Sequence, residues 1–371
     1  MITLNRPYRI STKHVTPTIE TLYDCNITWL YSSREGLNMI YQHLYKQRGS
    51  LRVAVSPLTC FVALYPIINN GHTIEFVDIN ESTFNIDEDK LTQLTNIDVV
   101  QLIYLGGNPI AMDKSLAWAK ENDVVIVEDC AQALGSTYNG LPVGTFGDYA
   151  VYSSVKNLYA VAGGFMLSSQ TINSDTLSKV HPLVYIYKHI KHWMESKTNA
   201  KKCNLWNAIY KRILKASGQG SLSGTKVHTL SPSLVNKNNS LLAQAQQIQS
   251  ARTKNAELLL SLIDQNKYTI QQEVEGAVSC RNRIILLSKN RLAKDLIYDL
   301  RELGIAANNL TQSYLSAYQK SVDEDEMLSK YYTTHLDVYE KVLPHLLTIP
   351  SSPALTKQEI EYIANQVNKL G

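Results

Sequence analysis

Val124 to Asn157 reads "VVIVEDCAQALGSTYNGLPVGTFGDYAVYSSVKN"; Asp129 closes one apolar run, Lys156 follows a second, and glycines crowd the interval. A carboxylate and an amine can hold and exchange protons on a shared ligand. In open α/β sheets ligands sit outside the carboxyl ends of strands, so both residues fall where a site is expected. An isolated pair so placed is most simply a buried salt bridge.

The neighbours of the pair favour chemistry. Lys156 follows "YSS" and precedes the aromatic and glycine segment "NLYAVAGG". A lysine in that setting, facing an aspartate at a strand end, is the arrangement that pyridoxal phosphate requires. The amine joins the cofactor aldehyde, and the carboxylate keeps the pyridine nitrogen protonated so that the ring accepts electrons. Burial lowers the amine's pKa, which makes it nucleophilic and later a proton carrier.

Strand-like runs that can carry these residues occur at "LRVAV", "TIEFVDI", "VVQLIYL", "VVIVEDC", "DYAVYSS" and "GFMLSS". Most are continuous apolar stretches rather than alternations, the texture of a parallel sheet covered on both faces. Leu37, Ile40, Tyr41, Leu44 and Tyr45 recur at helical spacing behind a predicted Ser33 N-cap, and "DKSLAWAKEN" gives a helix between the third and fourth strands. The order of elements is α/β. "SGQGSLSGTKVHTLSPSLVNKNNS" reads as a crossing segment or linker before a long helix over roughly 241–263, with Leu241, Ala245, Ile248, Leu259 and Leu262 on one stripe. A strand "RNRIILL", a helix "NRLAKDLIYDLREL" stopped by Gly304, and a final helix opened by a Thr356 and Glu359 capping box make a smaller C-terminal α/β unit. The expected division is a large domain over 1–235 and a small one over 236–371.

The 371 residues, 44% hydrophobic and 19% charged, suffice for a large core. Against 36 basic residues stand 33 acidic ones, so the net charge of +3 gives no whole-chain signal for nucleic acid. Five cysteines without CxxC spacing argue against a disulfide framework or a structural zinc site, and no metal is expected. "MITLNRPYRISTKH" lacks the apolar core of a signal peptide, and no run approaches the ~20 apolar residues of a membrane span. A cytoplasmic protein is expected.

The stretch around Asp129 and Lys156 resembles the DegT/DnrJ-type family of pyridoxal-phosphate-dependent sugar aminotransferases, which have the type I aminotransferase fold. The likeness runs through "GHTIEFVDINESTFNIDEDKL", through "IYLGGNPIAMDKSLAWAKENDVVIVEDCAQALGSTYNGLPVGTFGDYAVYS", and on to "GIAANNL" and "LTIPSSPALTKQEIEYI". It is strong over about 70–170 and weak over 180–280. The resemblance implies that Lys156 binds the cofactor aldehyde and shuttles protons, and that Asp129 pairs with the pyridine nitrogen. It further implies that Gln132 bonds the ring hydroxyl, Ser153 contacts the phosphate, and Phe61, in "SPLTCFVAL", stacks on the ring. Taken singly, Phe61 is core, Ser153 caps a turn and Gln132 satisfies a backbone group; their joint placement around Lys156 favours the site. A homodimer with sites near the interface is also implied.

The departures from the family pattern are specific. "YSSREG" stands where the family usually opens its first helix with Gly-Thr, so Ser33 and Arg34 lie at the phosphate end, where free N–H groups and a cationic side chain bind an anion. Ser153 is nearer in sequence to Lys156 than the family's phosphate serine, and Ala162 precedes Gly163 and Gly164 where the family often has an acidic residue. Asn236, Asn238 and Asn239 are candidates for the asparagine that a partner subunit usually lends to the phosphate.

One segment has no counterpart in that pattern. Residues 179–215 hold nine Lys or Arg against one Glu, interleaved with Tyr185, Tyr187, Trp193, Trp206 and Tyr210. The plain alternative is a pair of surface helices with a solvated basic face; the sharper one is a docking surface for a diphosphate-bearing substrate or an anionic membrane. The expected activity is transfer of an amino group from an amino acid, such as glutamate, to a keto-sugar that is nucleotide-linked, in polysaccharide or secondary-metabolite synthesis. A different pyridoxal phosphate reaction and a non-catalytic regulatory homologue are the rival readings. Tyr314 and Tyr318 are further candidates for substrate contact.

Overall fold

The computed structural model describes residues 26–172, 177–180, 184–186, 190, 227–310 and 335–371. The apolar runs form β1 (Asn26–Leu30), β2 (Arg52–Val55), β3 (Thr73–Phe76), β4 (Val99–Ile103) and β5 (Val125–Asp129). Two short strands follow, β6 (Thr137–Tyr138) and β7 (Leu141–Pro142), and then β8 (Tyr149–Ser153), β9 (Gly164–Ser168), β10 (Leu177–Lys179) and β11 (Val227–Thr229). The large sheet has the order β10-β11-β1-β9-β8-β5-β4-β2-β3. From β8 to β3 all neighbours are parallel, whereas β9 returns antiparallel to β8.

Every residue of β4, β5 and β8 is buried, the consequence of helices on both faces. On one face Leu37 and Ile40, from the helix Ser33–Arg48, and Leu64, from the helix Phe61–Asn69, pack on Val53, Val127 and Val151. On the other, Trp118 of the helix Met112–Glu121 joins Val100, Ile126 and Phe165. This is the α/β order with a mainly parallel sheet expected from the sequence.

The C-terminal part contributes β12 (Tyr268–Ile270), β13 (Ala277–Val278), β14 (Ile284–Ser288), β15 (Asn308–Asn309) and β16 (Leu346–Ile349). Four of these make an antiparallel sheet, β12-β14-β16-β15, and β13 pairs with β6 instead. Helices Ala245–Ser261, Ala293–Glu302 and Lys357–Leu370 cover the sheet through Leu259, Leu296 and Ile363. Strand β14 faces two ways. Ile284 and Leu286 belong to this smaller core, while Ile285 and Leu287 pack on the core of the large sheet.

Several local readings change. The first helix is capped by Ser32, not Ser33, and the cap makes no side-chain hydrogen bond; its extended backbone alone starts the helix. The stretch taken for a linker holds β11 and a helix, Pro232–Leu242, with proline in its first turn. The expected long helix begins only at Ala245, and no glycine or proline marks the break. Its buried stripe includes Ile248, Arg252, Ala256 and Leu259, while Leu262 is exposed. The capping box of Thr356 and Glu359 forms as read. The basic segment lies outside the described residues save for 179–180, 184–186 and 190, as do Tyr314 and Tyr318 entirely. Among the described residues no helix is long and apolar enough to cross a membrane.

Candidate active site

Parallel register brings the carboxyl ends of three strands to one edge of the sheet. Ile103 of β4 pairs with Asp129 of β5, and Asp129 with Val151 of β8. Asp129 is 9% exposed and accepts the Ala131 N–H at 3.0 Å, which fixes one carboxylate oxygen. Just past β8, the single helical turn Ser154–Asn157 presents Lys156. Burial pushes the Asp129 carboxyl up and Lys156 counteracts it; burial pushes the Lys156 amine down and Asp129 counteracts that. Each group thus feels the other's charge in a poorly solvated setting.

The turn is braced from distant parts of the chain. Asn157 donates to Ala131 O at 3.0 Å and to Ser153 O at 2.9 Å, tying the lysine turn to the Asp129 loop. Asn282 donates to Lys156 O at 3.0 Å. Arg252, 1% exposed, donates to Asn157 O at 2.8 Å and lies over the Tyr159 ring, 5.5 Å from its centroid. Tyr159 itself has a φ of 56°, a left-handed conformation that an aromatic residue keeps only when its surroundings hold it. Asn157, Asn282 and Arg252 were not evident from the sequence. The one signal available was a charged residue at a position where the helical stripe called for an apolar one.

The other expected residues lie at the end of β8 or in the loops and helix starts that follow β1, β2 and β5. Gln132 accepts the Gly106 N–H at 3.2 Å through its side-chain oxygen, so the backbone-satisfying role is real and fixes the amide's direction. Phe61 opens its helix partly buried, edge-on to Tyr65 at 4.5 Å, and the preceding Cys60 thiol acts electrostatically on Lys156. Ser153 pairs in register with Gly164. A Cβ on Gly164 would come within 2.6 Å of the Ser33 N–H nitrogen, so glycine there lets the helix start approach Ser153. Arg34 lies 3.9 Å from Glu35, a buried carboxylate that also meets His228 Nδ1 at 3.2 Å. Among the described residues the buried Thr59 and Ser154 hydroxyls have no hydrogen-bond partner. Asn238 donates to Ala162 O at 3.1 Å and Leu234 O at 2.8 Å, so its amide group serves its own chain, whereas Asn236 is exposed.

Beneath the site Glu128, fully buried, accepts the Tyr104 hydroxyl and the N–H groups of Gly144, Phe146 and Gly147. This carboxylate pins the loop before β8. Burial still pushes its pKa up, against all four donors.

The sequence model described as DegT/DnrJ/EryC1/StrS aminotransferase family matches residues 31–368. A UDP-4-amino-4,6-dideoxy-N-acetyl-beta-L-altrosamine transaminase of Campylobacter jejuni is 32% identical over 135 residues, 34% of this chain and 35% of that protein. The chain thus spans about a third of the length of the curated relatives it matches. Among solved structures, Helicobacter pylori PseC, an aminotransferase involved in the biosynthesis of pseudoaminic acid, superposes with a TM-score of 0.70 at 16% identity, over 94% of this chain and 88% of that one. An E. coli GDP-4-keto-6-deoxy-D-mannose-3-dehydratase with bound hydrated pyridoxal phosphate does so at 0.70 and 18% identity, over 94% and 89%.

Proposed function

Since the chain belongs to the DegT/DnrJ/EryC1/StrS aminotransferase family, we propose that it is a pyridoxal-phosphate-dependent aminotransferase that moves an amino group from an amino acid, glutamate being the first choice, to a nucleotide-linked keto-sugar. The observation that carries the reading is the Asp129 and Lys156 pair at the carboxyl ends of neighbouring parallel strands, with the lysine turn braced on three sides. The residues present fit the cofactor: a buried carboxylate for its ring nitrogen, an amine of lowered pKa for its aldehyde, and unpartnered buried hydroxyls on Thr59 and Ser154 nearby.

When bound, pyridoxal phosphate supplies an electron sink for the carbon being deprotonated. Lys156 would tether it and then carry a proton to and from the donor's α-carbon, a role that burial favours by pushing the amine's pKa down. Asp129 holds a proton on the ring nitrogen, and its fixed oxygen toward Ala131 leaves the other for that task. Gln132, oriented by Gly106, would offer its amide nitrogen to the ring oxygen. Ser33, Arg34 and Ser153 would hold the phosphate end, with the helix start lending N–H groups. Phe61 would cover the ring. The same residues then serve the keto-sugar in reverse. A homodimer is part of this reading.

The test is the visible absorption spectrum of the purified protein with added pyridoxal phosphate, before and after glutamate, beside Lys156→Ala. A band above the free-cofactor spectrum in the wild type alone, bleached by glutamate, is the expected result. A band that persists with every amino acid donor sinks the transamination, and no band sinks the cofactor.

A further inference from the structure

The basic segment leaves and rejoins the large sheet at one edge. Lys179 ends β10, the outermost strand, and pairs in parallel register with Thr229 of β11, which carries the chain back. Between them Val184, Tyr185, Ile186 and Ile190 are helical. Val184 is fully buried, and Tyr185 meets the Tyr31 ring edge-on at 5.9 Å, so this stretch is seated on the fold just before the Ser32 cap. Ile186 and Ile190 turn the other way. They are 53% and 39% exposed and stand four residues apart, the spacing that puts side chains on one helix face. Among the described residues nothing covers this face. In the sequence Trp193 comes three positions later, on the same period.

Charge identifies the partner. Residues 179–215 hold nine of the chain's 36 basic residues and one of its 33 acidic ones; the remainder, 27 against 32, is net negative. The cationic field is therefore confined to the segment that carries the exposed isoleucines. We propose that this face docks on an anionic lipid bilayer, with Ile186 and Ile190 entering the headgroup boundary and the lysines of 179–215 meeting the lipid charges. Such a surface answers both features at once. A nucleic acid or a soluble diphosphate answers the charge but leaves the aliphatic side chains in water, whereas the interleaved Trp193, Trp206 and Tyr210 suit the boundary between headgroups and acyl chains. No run of the segment approaches the ~20 apolar residues of a span, so the docking is peripheral.

Co-sedimentation of the full chain with vesicles tests the docking. The wild type is expected to pellet with phosphatidylcholine vesicles that contain phosphatidylglycerol and not with phosphatidylcholine alone, and to be released as salt rises from about 0.1 M to about 0.5 M. Lys201→Glu with Lys202→Glu is expected to weaken binding by about tenfold or more. Ile186→Ser with Ile190→Ser, surface changes that leave the thermal melt in place, is expected to weaken it by about tenfold as well. This second pair separates lipid docking from mere attraction between charges, which it leaves untouched. Equal binding to both kinds of vesicle, or anionic binding that ignores the isoleucine changes, overturns the docking. So does a wild type that ignores vesicles while its self-association, read by analytical ultracentrifugation, is lost in the isoleucine variant; a second copy of the chain then covers that face.

Discussion

At the scale of single residues, the acid and base of the proposed chemistry were legible because their strands are. Asp129 and Lys156 close apolar runs, and parallel strands put their ends together whatever the loops do. The residues that hold them were not legible. Asn282 reaches Lys156 across 126 positions, and no local pattern announces a hydrogen bond to a carbonyl that far away. Replacing Asn282 by Ala strips donors from Lys156 O and from Asn157 Oδ1. A loss of about 1–2 kcal/mol in urea unfolding is expected. Glu128→Gln is expected to cost more, about 2–4 kcal/mol by the same measurement, because an amide sets one of its own N–H groups against the donors that the carboxylate accepts.

Elements were read well where burial decides and poorly where geometry does. Continuous apolar runs gave the central strands, but the start of the first helix shifted by a residue because Ser32 caps it without using its hydroxyl. The break between Leu242 and Ala245 lies in good helix formers, so no local signal in the sequence marks it. Between the short helix Glu88–Leu91 and the helix Met112–Glu121, Ser115 donates to Glu88 at 3.0 Å. Burial there pushes Glu88 up to about 7. The folded chain therefore holds this proton more tightly than the unfolded one, whose carboxyl titrates near ~4.3. Stability is lost as pH rises through that window, and the cost is complete above it. Glu88→Gln keeps the oxygen that Ser115 needs. It is expected to gain about 1–2 kcal/mol at pH 8, after allowance for partial exposure, and the gain should vanish at low pH in thermal melts.

Across the whole molecule, two sheets meet at Gly106 and Gly107, and this docking makes the site. Gly107 O accepts from Ser136 Oγ at 2.6 Å and Ser279 Oγ at 3.0 Å, one from each side of the seam. Gly107 has a φ of 88°, and a Cβ there would stand 2.6 Å from Cys280 Sγ and 2.7 Å from Gln132 O. Gly107→Ala is expected to destabilise the fold by about 2 kcal/mol or more and to lower cofactor affinity, read by thermal melts and by titration of the visible band. The sequence displayed these glycines but not what approaches them, since the neighbour arrives from β14's end of the chain. The long reach from Asn282 to Lys156 also bears on birth at the ribosome. A nascent chain that has emerged through β9 already carries the reactive amine, yet neither Arg252 nor Asn282 exists to hold it. Under the proposed function, stable cofactor binding is expected only once Arg252 and Asn282 have been made, because a chain cut short before them lacks the donors to Asn157 O and Lys156 O.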